Sequence, residues 1–109
     1  MSELDAFYIR MLEVGFVVLR QAHDSGDKEW LNAELELLHN IPSLLGEGNA
    51  ERHRYFWFGE RDLYINWLST HGREEPISRM RTYYEPIWNE MEPLILHWLG
   101  EAIGGQRRS

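Results

Sequence analysis

One stretch constrains the fold of this chain more than any other: residues 50–71, between Asn49 and Gly72. Wound at about 100° per residue, it gathers Phe56, Trp57, Tyr64 and Trp67 on one side. Glu51, Arg52, Asp62, Asn66, Ser69 and Thr70 fall on the opposite side. This predicts an amphipathic helix with Asn49 as its N-cap and Gly72 at its end. Its apolar side also carries His53, Glu60 and His71, spaced seven and eleven residues apart. An ionisable group turned into a core is costly unless it is paired or neutralised. The rest of the fold must therefore supply partners for His53 and Glu60.

Three further helical patterns accompany it. The first starts at Ser2, with Asp5 completing a weak capping box, and runs to about Asp24 before the Ser25-Gly26-Asp27 turn. Leu4, Met11 and Val18 repeat by seven, and Phe7, Tyr8, Val14, Gly15, Leu19 and Ala22 widen the stripe. Gly15 leaves room for a neighbouring helix. The second pattern is capped by Asp27 and runs to about Ile41, where Pro42 ends it. Trp30, Leu31, Leu35, Leu37, Leu38 and Ile41 form its stripe, with Glu34 at the centre. The turn-rich connector to Asn49 holds Leu44 and Leu45, which seek burial.

The last pattern opens with Glu74-Glu75-Pro76, acids at the positive end of a helix and proline in its first turn. Met80, Tyr84, Ile87, Met91, Leu94, Ile95, Trp98 and Ala102 form a stripe free of ionisable residues. Pro86 and Pro93 lie on its polar side, where water takes the carbonyls they free, so one helix bent at Pro86 or Pro93 is expected, with a break at either proline as the alternative. Residues 104–109 read as a frayed tail. With no strand pattern, repeat or linker, the expectation is a single all-α domain over residues 1–109, a four-helix up-and-down bundle.

Composition narrows the function classes. A net charge of −7 would repel nucleic acid and anionic membrane alike, so neither is an expected partner. The aromatics next to Arg52, Arg54 and Arg61 mostly face the core, which argues against a base-stacking platform. There is no cysteine, hence no disulfide or thiolate chemistry. The start of the chain lacks a basic segment followed by an apolar one, and no apolar run is long enough to span a bilayer. A cytoplasmic location is expected.

The chemistry-bearing residues form an interior polar cluster: Glu34, His53, Glu60, Tyr64 and His71. Carboxylate and imidazole groups from facing helices are how bundles hold divalent metals, and Glu34, His53 and Glu60 are the candidate ligands. The competing reading is a buried hydrogen-bond network without any cofactor. Glu36-Leu37-Leu38-His39 matches a di-iron spacing but occurs once and on the polar side, so it reads as solvated surface. Ile9, Phe16, Val17, Phe58 and Ile65 add apolar surface beyond one stripe per helix and suggest a face for a symmetric dimer or another protein. A non-catalytic, self-associating or interacting helical module is the leading expectation; a metal- or small-ligand-binding bundle, with or without catalysis, is the alternative.

Overall fold

The computed structural model describes the backbone of residues 3–107 and the side chains of residues 3–97 and 100. Four helices account for it: α1 (Glu3–Ser25), α2 (Lys28–Leu38), α3 (residues 50–71) and α4 (residues 74–107), with no strand among the described residues. α1 packs on α2 and α4, and α3 packs on the same two, so the helices form a ring with α1 and α3 on a diagonal. Neighbours in sequence run antiparallel. At the start of α2, Asp27 meets Arg73, just past the end of α3, while Asn40 beyond the end of α2 meets Glu60 in mid-α3.

The helix ends follow local chemistry. The Asp27 side chain accepts the Trp30 N–H at 3.1 Å, and the Asn49 side chain accepts the Glu51 N–H at 2.9 Å. Gly72 closes α3 in the left-handed conformation, φ 60°. α2 stops at Leu38, three residues before the expected Ile41. Pro42 disfavours α geometry at Ile41, and the chain instead makes a 3₁₀ turn, Ile41–Leu44, which buries Ile41 and Leu44 and leaves Leu45 exposed. Ser2, the expected start of α1, lies outside the described residues. Asp5 is buried, and its side chain accepts the Gly46 N–H of the connector. At Gly15 a Cβ would lie 2.6 Å from Leu38 Cδ1, so glycine is what lets α2 approach this closely.

Two widened turns interrupt the regular winding. At Phe56–Glu60 and Met80–Tyr84 the backbone is π-helical: the Arg61 N–H donates to the Phe56 carbonyl, and the Glu85 N–H to the Met80 carbonyl. Each such turn accommodates one extra residue. In α4 the cause is Pro86, whose ring would press on the Thr82 carbonyl in a regular helix. The helix then continues through exposed Pro86 and Pro93, burying Tyr84, Ile87, Trp88, Met91 and Ile95. Helical backbone extends past Gly104 to Arg107; the side chains of Trp98 and Ala102 lie outside the described residues.

In α3 the extra residue rotates everything after it by about 100° relative to an uninterrupted wheel. Tyr64 and Leu68 face the core, and Ile65 packs against it. Glu60 and Trp67 are left half-buried and His71 exposed. The regular wheel centres Glu60 and His71 on the apolar side; the widened turn moves both off it.

Candidate functional site

Glu34 sits fully buried at mid-bundle and is met from three helices. The Tyr84 hydroxyl donates to Oε2 at 2.6 Å, the Tyr64 hydroxyl donates to Oε1, and Trp30 Nε1–H reaches Oε1 at 3.2 Å. Burial pushes the Glu34 carboxyl above the usual carboxylate range, opposed by the bonds from Tyr64, Tyr84 and Trp30. Both tyrosine hydroxyls are pushed up in turn, by burial first and then by the Glu34 charge. Every donor at this carboxylate is already engaged with it, and Tyr64, Tyr84 and Trp88 pack ring to ring beside it.

His53, also buried, closes a separate set of bonds at the connector end. Its Nε2 lies 2.7 Å from the Glu47 carbonyl, which only accepts, so Nε2 carries the proton. In the neutral ring Nδ1 then accepts from the Tyr8 hydroxyl at 2.7 Å. The Tyr8 ring stacks on His53 and meets Phe56 edge-on. Burial raises the Tyr8 hydroxyl well above its ordinary range, and nearby Asp5 raises it further. The Asp5 carboxylate accepts the Gly46 N–H at 2.9 Å. Asp5, Tyr8 and His53 thus tie α1 and α3 to the loop between α2 and α3.

The other members of the expected cluster lie elsewhere. Glu60 Oε1 accepts from Asn40 Nδ2, while its buried Oε2 has no partner among the described residues. Glu60 lines two adjoining grooves on the α2–α3 side, of about 460 and 620 Å³, which share Asn40, Tyr55 and Glu60. His71 pairs with Glu29 at 3.2 Å, and Arg73 bridges Glu29 to Asp27. Although desolvation works against it, the Trp30 N–H and Arg73 hold the Asp27 carboxyl below its usual range. Among the described residues no three His, Asp or Glu side chains gather as a metal ion would require, so Glu34, His53 and Glu60 do not converge. Glu36 and His39 are exposed, as their place on the polar side implies.

The wheel misses several residues of these sites. Asp5 is hidden by its position in the first turn of α1, where an acid reads as a cap. Tyr84 falls within a plain apolar stripe, although a buried tyrosine normally needs a partner for its hydroxyl. Arg61 is the third: its guanidinium lies 3.9 Å over Trp57, its Nε donates to the Trp57 carbonyl, and Asp62 pairs with its Nη2.

On the surface, Phe16 is 66% exposed and Val17 45%, and Phe58 is exposed as well. Ile9 and Ile65 are half-buried. Because α1 and α3 sit on a diagonal, their exposed residues lie on different outer faces. Among the described residues no helix is long and apolar enough to cross a membrane. No protein-family model matches the chain, and neither a curated protein nor a solved structure matches it.

Proposed function

We propose that the protein is a non-catalytic helical interaction module that works by self-association. The observation that carries this reading is Phe16, a large apolar side chain two-thirds exposed on the outside of α1 beside exposed Val17. The buried polar groups point the same way, since Glu34 and His53 spend their bonding capacity on Trp30, Tyr64, Tyr84, Tyr8 and a backbone carbonyl. A reactive centre would need one of them turned toward a cleft with capacity to spare. Light scattering on the full chain from about 1 to 500 μM tests the proposal, a range set by a small interface of modest affinity. A mass rising with concentration toward a dimer supports it, and a constant mass of 13.0 kDa overturns it.

A second reading is favoured by one observation, the Glu60 Oε2 that has no partner among the described residues beside the α2–α3 grooves. Glu36, Asn40, Tyr55 and Trp67 line the same surface and suit a small cationic ligand. Thermal melting with and without each of a panel of small amines tests this. A melting temperature raised by one addition and unchanged in Glu60→Gln would establish it.

A further inference from the structure

We infer that the second copy docks antiparallel on α1, across a two-fold axis between Phe16 and Val17, with Glu13 of each copy paired to Arg20 of the other. This deepens the self-association proposed above and rests on it. At about 100° per residue, Ile9, Glu13, Phe16, Val17, Arg20 and Asp24 all project within about 60° of the direction away from the core. Their exposure agrees: Glu13, Phe16, Val17, Arg20 and Asp24 are exposed and Ile9 half-buried, while Leu4, Tyr8, Met11, Gly15, Val18 and Ala22 are buried. The apolar pair therefore flanks the outer ridge of the helix, Phe16 on one side and Val17 on the other.

The charges around that pair are self-complementary in one orientation. Glu13 and Arg20 each stand three residues outside the Phe16–Val17 pair, so both lie about 5 Å along the axis from its midpoint, at about 1.5 Å per residue. They also project almost straight outward, about 20° apart around the helix. A two-fold axis perpendicular to α1 at the midpoint carries each Glu13 onto the other copy's Arg20, twice per dimer, and brings Phe16 against Phe16 and Val17 against Val17. A parallel pairing would instead set Glu13 against Glu13 and Arg20 against Arg20, which like-charge repulsion opposes. Both side chains are available for the role, since neither forms an ion pair among the described residues. An isologous contact of this kind needs no surface other than the outer side of α1. One helical ridge buries less than the ~1,200 Å² of a standard interface, so the dimer should form in the micromolar range or above.

Charge reversal tests the register. Sedimentation equilibrium at low salt would be run on the full chain, on Glu13→Arg, on Arg20→Glu, on their equimolar mixture and on the double reversal. Circular dichroism would check that each variant folds, as exposed positions allow. Each single variant alone faces like charges and should dimerise at least about tenfold more weakly. In the mixture, the Glu13→Arg chain presents two positive groups on its ridge and the Arg20→Glu chain two negative ones, so unlike chains pair. The mixture should recover wild-type association to within about threefold, as should the double reversal. A wild type that dimerises while the single variants do so equally well would overturn this register and leave self-association standing. Failure of the mixture to recover would overturn it too. A wild type monomeric throughout would remove both.

Discussion

The centre of the bundle around Glu34 and the outer side of α1 depart from apolar-inside, polar-outside in opposite directions. Inside, a carboxylate stands where an apolar residue would pack, and Trp30, Tyr64 and Tyr84 enclose it with donors from three helices. Outside, Phe16 and Val17 stand where polar residues would meet water, beside two opposite charges without ion-pair partners among the described residues. A buried polar group left unpaired costs free energy in the single chain, so the chain itself must satisfy it. An exposed apolar ridge costs the single chain little and gains only when another surface covers it. The first departure thus concerns folding, and the second concerns association.

The largest effect should come from breaking the interior. In Glu34→Ala two tyrosine hydroxyls and an indole N–H lose their acceptor, at about 1–3 kcal/mol for each group left unsatisfied, so a loss of at least about 3 kcal/mol in urea unfolding is expected. His53→Ala strands the Tyr8 hydroxyl and the Glu47 carbonyl and should cost at least about 2 kcal/mol by the same reckoning. A polar cluster shared by Glu34 and His53 would make the double variant lose less than the sum. Their distinct partners point the other way: the two losses should add to within about 0.5 kcal/mol. A large coupling energy would show that the centre and the connector end form one network.

Smaller effects sharpen the contrast. Gly15→Ala drives a methyl into Leu38, and overpacking at about 1–3 kcal/mol should outweigh the roughly 1 kcal/mol that alanine contributes to helix propensity. A lowered melting temperature checks this. The two perturbed acids should respond to pH with opposite signs. Glu34 has its folded pKa raised, so its contribution is fully present below the ordinary carboxylate range and is lost as pH rises through the folded value. Asp27 has its folded pKa lowered, so its contribution is present above that range and lost as pH falls through the folded value. Unfolding titrations of Glu34→Gln should therefore lack the decline on the alkaline side of the carboxylate range, and those of Asp27→Asn should lack part of the acid-side loss.

Much of this is legible in the residues because capping and period are local properties. Asp27, Asn49 and Gly72 mark their helix ends, and on α1 Leu4, Met11 and Val18 are buried as their heptad spacing implies, with Phe7, Val14 and Leu19 half-buried beside them. Glu34 and His53 stand out as ionisable residues on apolar faces, and both are buried. The wheel fails where its constant angle fails. One extra residue at Phe56–Glu60 turns Glu60 and His71 away from the core and brings Leu68 in, a rotation no regular period encodes. Pro86 is the visible sign of the second widened turn, since its ring cannot follow a regular helix. The identity of Glu34's partners depends on how α3 and α4 pack against α2, which no single helix specifies.

The most direct test compares Phe16→Glu with wild type by two readings on the same samples, unfolding free energy and mass in solution. If the ridge serves association and the interior serves folding, the variant should keep monomer stability to within about 0.5 kcal/mol, as an exposed substitution does. It should stay at 13.0 kDa at concentrations where wild type approaches twice that mass. A variant that associates as wild type does, or a wild type that stays at 13.0 kDa at every concentration, would contradict the account.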